Sequence, residues 1–326
     1  MARSGAGTPR VVILQPPPAA VAFVDVQHGW AGGVGGLLGT TDGKSFRLEV
    51  RGLIIGISAF DRARAWAITG DGFVLRTSDG RHWSRLGAPH LVRIQFVDAR
   101  VGFGLTSDGV LVVSGDAGVS WVRARSPGLV QSACFATREL GWVARAGSVW
   151  TTHDGGRRWV RGRLRAGAIE VPQLACRGDD AWVAFHEGAA AGTEGYHVFR
   201  SLAGGPWRAV LASPFQNRLP TISNYAGPFT VLGHRVAVFT GSCSPCDGFG
   251  TATVVRTLDG GRSFTRATPF HGYEPRAISF VDARRGWLLT GGHAGSASAV
   301  NMGLVWTTSD GGRHWRVAVR SPQLGS

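Results

Sequence analysis

Lysine, methionine, tyrosine and glutamate are scarce in this chain of 326 residues. There is a single lysine, Lys44, and there are two Met, three Tyr and six Glu. Because Lys, Met and Glu are strong helix formers, their scarcity argues against a helical fold. The scarcity of glutamate also limits the pairs of carboxylates on which most glycoside hydrolases depend.

Long apolar runs are missing as well. None approaches the ~18 residues that span a membrane. The apolar run nearest the N-terminus, Val11–Leu14, is shorter than the core of a secretory signal, which has about 7–15 residues. From this chain alone we therefore expect either a cytoplasmic protein or a natural start that lies upstream.

Glycine, tryptophan and arginine are abundant instead, with 49 Gly, 12 Trp and a formal net charge of +14. Many Gly and Trp with few helix formers favour short strands joined by tight turns. The basic balance is typical of a protein with an anionic partner, although a genome rich in Arg codons accounts for it equally well.

One short sequence recurs along the chain. It is "THDGGRRW" at 152–159 and "TSDGGRHW" at 308–315, and related copies lie between them and before them. Its aspartates are Asp42, Asp79, Asp116, Asp154, Asp259 and Asp310. A degenerate copy, "SLAGGPW" at 201–207, has Ala203 in place of the aspartate. The seven copies have a mean period of about 45 residues, which is typical of propeller blades.

A second pattern precedes most copies, an apolar stretch followed by Asp and then Gly-aromatic, as in "SFVDARRGW" at 279–287. Together the two patterns divide each unit into four short strands. The sequence therefore predicts an all-β, seven-bladed β-propeller of four-stranded antiparallel blades. We expect an extended N-terminal segment over 1–20 and the propeller over 21–326.

The repeated turns resemble Asp-boxes, the Ser/Thr-x-Asp-x-Gly-x-x-Trp/Phe turns of bacterial-neuraminidase-type repeats. Such repeats occur in sialidases, sortilin-type receptors, xyloglucan-degrading hydrolases and the photosystem II assembly-factor family. The resemblance implies that each turn lies between strands three and four, away from the ligand face. It also implies an extracytoplasmic protein. A short Asp side chain accepts backbone N–H groups across its own turn, so we expect a structural role for the turns.

An enzymatic function is not favoured by the motifs. A sialidase needs a Tyr–Glu nucleophile pair, and the nearest one, Tyr273 beside Glu274, falls on neighbouring residues that point to opposite faces of a strand. A glycoside hydrolase, sialidase-like or other, is the alternative to a binding protein. The sequence predicts no cofactor and no metal site.

The four cysteines fall into two pairs. Cys243 and Cys246 lie in a Gly-rich loop and favour a small disulfide over a zinc or redox site, which would need further ligands or a helix. Cys134 and Cys176 fall on the first strands of adjacent blades. They either form a bridge or remain buried thiols, because such strands can be more than ~7 Å apart.

The long loops of blades five to seven are the predicted binding site, since loops on a rigid scaffold concentrate binding residues. They carry all three tyrosines and half of the glutamates. The candidate ligand-binding residues are Glu187, Glu194, Tyr196, Asn217, Arg218, Tyr225, Tyr273 and Glu274. We expect a non-catalytic binding or assembly scaffold that recognises a protein or a glycan on this face.

Arginines in or beside the fourth strands form a second candidate surface, the Arg-rich rim. It consists of Arg81, Arg85, Arg123, Arg125, Arg157, Arg158, Arg161, Arg163, Arg165, Arg313, Arg316 and Arg320. Charge on an outer edge discourages pairing between edges, and it can also attract an acidic partner. Nucleic acid is not expected, because exposed aromatics for base stacking are not interleaved with these arginines. We expect a monomer.

Overall fold

The computed structural model describes residues 19–164, 171–215, 218–243, 251–292 and 303–325. They form seven four-stranded antiparallel sheets, in each of which strands adjacent in sequence are adjacent in space. The predicted seven-bladed, all-β architecture is confirmed. Of the predicted segment 1–20, residues 1–18 lie outside the described residues. Among the described residues, no helix has the length and apolarity needed to cross a membrane.

The strands of the first four blades follow the predicted order. Blade one has β1 (Ala20–Phe23), β2 (Gly29–Gly33), β3 (Gly36–Thr40) and β4 (Arg47–Arg51). Blade two has β5 (Ile54–Ala59), β6 (Ala65–Thr69), β7 (Val74–Thr77) and β8 (Trp83–Leu86). Blade three has β9 (Leu91–Phe96), β10 (Gly102–Thr106), β11 (Leu111–Ser114) and β12 (Val122–Arg123). Blade four has β13 (Ser132–Phe135), β14 (Gly141–Arg145), β15 (Ser148–Thr152) and β16 (Val160–Arg161).

The strands of the last three blades are longer. Blade five has β17 (Val171–Arg177), β18 (Asp180–Ala190), β19 (Thr193–Leu202) and β20 (Arg208–Ala212). Blade six has β21 (Tyr225–Gly233), β22 (Val236–Cys243), β23 (Thr251–Thr257) and β24 (Thr265–His271). Blade seven has β25 (Tyr273–Phe280), β26 (Gly286–Gly292), β27 (Gly303–Thr308) and β28 (Arg316–Ser321), followed by a 3-10 helix, Pro322–Leu324.

The blades form a closed ring. The first strands of neighbouring blades contact each other, and β1 contacts both β5 and β25. The first strands therefore surround the centre, and the fourth strands form the outer edges. Because consecutive strands are antiparallel, the turns after strands one and three emerge on one side, which we call the turn face. The hairpins after strand two and the connections between blades emerge on the opposite side, which we call the loop face.

The Gly-aromatic motif is explained by a phenylalanine at the end of the first strand. Phe135 lies directly opposite Gly141 in the sheet, and a β-carbon on Gly141 would be 2.2 Å from its Cδ1 atom. In the four blades that have this phenylalanine, the residue opposite it is glycine. In the other three blades, alanine lies opposite a residue other than phenylalanine. The pairs are Phe23–Gly29, Phe96–Gly102, Phe135–Gly141 and Phe280–Gly286, and then Ala59–Ala65, Cys176–Ala181 and Val231–Ala237.

These phenylalanines also join neighbouring blades. The Phe96 ring stacks on Trp66 of the preceding blade with a centroid distance of 3.5 Å. The Phe23 ring stacks on Trp287 at 3.7 Å. Because Trp287 belongs to blade seven and Phe23 to blade one, the ring closes with the same contact that joins blades elsewhere. Aromatic stacking of this kind stabilises beyond the area that it buries.

Candidate functional site

The hairpin formed by β18 and β19 emerges on the loop face and consists of the two longest strands of the described residues. Its ladder extends from the pair Asp180–Leu202 to the pair Ala190–Thr193. The turn consists of Ala191 and Gly192, whose φ angles are 50° and 76°. Positive φ at both central residues is the mark of a type I′ turn, which matches the twist of the strands.

Tyr196 of this hairpin fastens the connection between blades five and six. Its side chain is fully buried. Its hydroxyl donates to the Ser223 carbonyl at 2.9 Å and accepts the Ile222 N–H at 2.8 Å, and it lies 2.6 Å from the Thr221 hydroxyl. Burial raises the pKa of the Tyr196 phenol, and the hydrogen bonds with Thr221, Ser223 and Ile222 only partly oppose this rise. We therefore correct the sequence-based assignment of Tyr196 as a ligand-binding residue. Its side chain is buried against residues 221–223 and offers no surface to a ligand.

Glu194 also joins blades five and six. One carboxylate oxygen lies 3.2 Å from Nδ1 of His186, and the other accepts the Ala226 N–H at 3.1 Å. The Glu194 N–H in turn donates to the Asn224 carbonyl at 2.8 Å. The Glu194 side chain is only 17% exposed, so its carboxylate is already engaged with the protein.

Glu187 lies on the same hairpin and is more accessible. Its side chain is 41% exposed, and Oε1 lies 3.2 Å from Nδ1 of His197. This contact does not have the geometry of a hydrogen bond. His197 Nδ1 is therefore buried without a hydrogen-bond partner among the described residues. A β-carbon on Gly195 would be 2.6 Å from Glu187 Oε2, so the glycine makes room for the carboxylate.

The remaining candidates are spread over blades six and seven. Tyr225 begins β21 and is half-buried. Tyr273 begins β25 and contacts Trp306 edge-on, with ring centroids 5.3 Å apart. The neighbouring Glu274 is exposed. The structure thus brings Glu187, Glu194 and Tyr225 to the corner between blades five and six, and it leaves Tyr273 and Glu274 one blade further on.

The connection between β20 and β21 presents exposed side chains on the loop face. Phe215 is 64% exposed, and Arg218 is exposed on the same segment, whereas Asn217 lies outside the described residues. Sequence reasoning did not single out Phe215. Its position between Pro214 and a polar stretch was the available signal, because a phenylalanine outside every strand pattern has no place in a blade.

The repeated turns lie on the turn face, between the third and fourth strands, away from these loops. In blade seven the Thr308 hydroxyl donates to Asp310 Oδ1 at 2.9 Å and accepts the Gly312 N–H at 3.0 Å. The same Asp310 oxygen accepts the N–H groups of Arg313 and His314, both at 3.0 Å. Blade five lacks the aspartate, and there the Ser201 hydroxyl donates to the Gly205 carbonyl at 2.7 Å.

We expect Thr308→Val to lower the free energy of unfolding by about 1–3 kcal/mol, because it leaves the Gly312 N–H without its acceptor and removes one of the donors to Asp310. Thr308 is buried, so water cannot replace the lost hydroxyl. The matched control is Thr307→Val, since Thr307 is half-buried on the same strand and its side chain has no hydrogen bond among the described residues. Urea denaturation of both variants provides the measurement, and equal midpoints would contradict the role of the hydroxyl.

Hydrogen bonds lower the pKa values of the turn aspartates. The Ser120 hydroxyl and N–H donate to Asp116 and bring its pKa to about 2. Four others are lowered mainly by donors three or four residues further along the chain, which are Ser45 for Asp42, His82 for Asp79, Arg158 for Asp154 and Ser263 for Asp259. At Asp310 burial raises the pKa, but the donors His314, Thr308 and Arg313 together lower it. These carboxylates are therefore held in their charged form.

Stability should consequently fall in acid. The aspartates of the unfolded chain take up protons near pH ~4, before those of the folded protein do, so each step below that pH favours unfolding. We expect the urea midpoint to be steady above about pH 5 and to decline progressively from about pH 4 through about pH 2. A midpoint that remains constant over the acid range would contradict this linkage.

The cysteines resolve one of the open alternatives. Cys134 on β13 and Cys176 on β17 form a disulfide, with their Cα atoms 5.9 Å apart. The first strands of blades four and five are thus close enough to bridge. Cys243 is disulfide-bonded too. Because Cys246 lies outside the described residues, its pairing with Cys243 stays a prediction.

The centre of the ring holds a cavity of about 370 Å³ lined by the first strands. Neither Asp nor Glu is found among its described lining residues.

At the outer edge, every described arginine of the Arg-rich rim is at least partly exposed, whereas Arg165 lies outside the described part of the chain. The rim is therefore a basic surface distinct from the loop face.

No protein-family model and no curated relative matches the chain in sequence. Among solved structures, it is similar to YCF48 from Cyanidioschyzon merolae, with 17% identity and a TM-score of 0.62 over 90% of this chain and 96% of that one. It is also similar to YCF48 bound to a D1 peptide, with 16% identity and a TM-score of 0.58 over 86% of this chain and 92% of that one.

A more distant likeness is to an ancestral GH74 enzyme, with 12% identity and a TM-score of 0.55 over 92% of this chain and 43% of that one. At such low identities the comparisons establish the architecture. The chain is a seven-bladed β-propeller whose fold is similar to that of YCF48.

Proposed function

We propose that this protein is a non-catalytic propeller that binds a protein partner on the loop face of blades five to seven. The observation that carries the proposal is the exposure of Phe215 and Arg218 on a connection whose described flanks are held on the hairpin. Tyr196 and Asn224 hold the connecting segment on the β18–β19 hairpin, with the Asn224 amide donating to Thr193 Oγ1 at 2.8 Å. Exposed aromatic and Arg side chains supply much of the energy at protein interfaces.

Preorganisation strengthens this proposal. A connection whose flanks are already anchored loses less conformational entropy on binding than an unanchored one, so its contacts contribute more fully to affinity. Ser213 N–H donates to the Tyr196 carbonyl at 2.9 Å, and Ala212 N–H donates to the Pro220 carbonyl at 3.0 Å. One protein of similar fold, YCF48, has a structure with a bound D1 peptide, which supports a peptide or protein as the class of ligand.

The test compares two pairs of exposed residues on opposite faces. The loop-face variant is Phe215→Ala/Arg218→Ala, and the matched control is Val119→Ala/Arg262→Ala on the turn face, where Val119 is 55% exposed and Arg262 is exposed outside the Arg-rich rim. We expect the loop-face variant to lose at least about tenfold in affinity for the partner captured from the native host, and the control to retain it. Equal retention by both variants would reject the loop face as the binding surface.

The hydrolase alternative receives no specific support from the described residues. The likeness to a GH74 enzyme concerns the fold. Glu194 is engaged by His186 and Ala226, and the central cavity has no carboxylate among its described lining residues. The loop-face proposal therefore does not include hydrolysis.

We further propose an extracytoplasmic location. Disulfides persist in oxidising compartments and are rare in the cytosol, and both Cys134–Cys176 and Cys243 are disulfide-bonded.

The Arg-rich rim is proposed to speed the approach of an acidic partner, an effect that salt would weaken.

A further inference from the structure

Two arginines lie on first strands and line the central cavity. Arg93 is on β9 of blade three and Arg276 is on β25 of blade seven. These blades are separated by blades one and two on the shorter path around the ring, so the two side chains approach the cavity from nearly opposite sides. The corresponding stretches of β1, β5 and β13 carry only uncharged residues.

The guanidinium groups have donors without acceptors. Nε of Arg93 and both Nε and Nη1 of Arg276 are buried and have no hydrogen-bond partner among the described residues. Both residues are half-buried, and a cation whose buried donors lack acceptors is unfavourable, so proteins normally supply an anion or an acceptor there. Burial lowers the pKa of Arg93, as expected for a cation without a compensating charge.

The position of Arg276 is built into the sheet. Its guanidinium lies against Gly291 of β26, where a β-carbon would be 2.3 Å from Arg276 Nε. Any larger residue at that position would displace the side chain. The other polar side chain near Arg93, Gln95, is occupied, because its amide donates to the Phe135 carbonyl and accepts the Phe135 N–H.

We propose that the central cavity binds a small oxyanion, a phosphate or a carboxylate, through Arg93 and Arg276. The guanidinium fork matches both groups, because each has at least two acceptor oxygens. The volume of about 370 Å³ exceeds that of several waters, so a small anion fits together with its remaining hydration. This site is separate from the loop-face surface and does not depend on it.

The test measures anion-dependent stabilisation. The melting temperature of the whole protein is followed during separate titrations with inorganic phosphate and with malonate, each at an ionic strength matched with sodium chloride. A ligand that binds only the folded state raises the melting temperature as its concentration rises above its Kd. The variants are Arg93→Gln and Arg276→Gln, and the control is Arg123→Gln, which removes an exposed arginine of the rim.

We expect stabilisation by phosphate, malonate or both. The Kd should be at least about tenfold weaker in each cavity variant, because the free energy of a charge-assisted hydrogen bond corresponds to about a tenfold change in Kd. The control should keep the wild-type Kd. Should a cavity variant fail to fold, Gly291→Ala displaces Arg276 without removing its charge and should weaken binding likewise. A phosphate-only response identifies a phosphate site and a malonate-only response a carboxylate site. No response beyond sodium chloride, or a response retained by both cavity variants, overturns the proposal.

Discussion

Asp180→Asn is expected to lower the free energy of unfolding by about 3–5 kcal/mol, the usual effect of removing one partner from a buried ion pair. Asp180 is completely buried, and its Oδ1 accepts Arg200 Nε at 2.7 Å. Its Oδ2 accepts the Arg235 N–H of blade six at 3.0 Å. The variant would leave the Arg200 charge, which is only 14% exposed, without its counterion.

The matched control is Asp179→Asn, since Asp179 is the preceding residue and its side chain is exposed. It removes the same charge from the same region, and surface substitutions of this kind usually change stability by less than about 0.5 kcal/mol. Guanidinium denaturation monitored by tryptophan fluorescence measures both. If the two variants unfolded at the same midpoint, the assignment of Asp180 as the link between blades five and six would be wrong.

The second large effect is expected from the Cys134–Cys176 disulfide. The bridge spans 42 residues. Closing a loop of that length in the unfolded chain accounts for about 4 kcal/mol of stability in the chain-entropy model. Cys134→Ala/Cys176→Ala should therefore lower the melting temperature by about 6 °C, given the unfolding entropy of a chain of this size.

Because Cys243 is also disulfide-bonded, a reductant alone does not isolate this effect. The control is Cys243→Ala/Cys246→Ala, in which the predicted loop disulfide would close only a few residues and contribute less. Peptide mapping without reductant should recover the Cys134 and Cys176 peptides as one cross-linked species. Free, alkylated thiols at both positions would contradict the bridge.

The fold could be predicted because its determinants are local and repeated. Each turn aspartate accepts N–H groups from its own turn, and each Phe–Gly pair lies six residues apart in sequence, as in Phe135 and Gly141. Signals this local are visible in the sequence wherever they occur. The seven copies of the turn and their spacing indicated seven blades. A ring was expected because a single four-stranded sheet needs neighbours to cover both of its faces.

The candidate site was less predictable because its determinants are distant in sequence. Tyr196 looked like a ligand-binding tyrosine in a long loop, yet residues 221–223 bury it. Asp179 and Asp180 are adjacent in sequence, and only the position of Arg200 decides which of them is buried. The exposure of Phe215 likewise depends on how the connecting segment lies on the hairpin, which no local pattern encodes.

Hydrogen–deuterium exchange of the free and partner-bound protein would test most directly where the partner binds. The proposed function predicts slower exchange on binding in the β18–β19 hairpin and in residues 218–226, with little change in the turns at 152–159 and 308–315. Protection confined to those turns, with unchanged exchange across the loop face, would contradict the account.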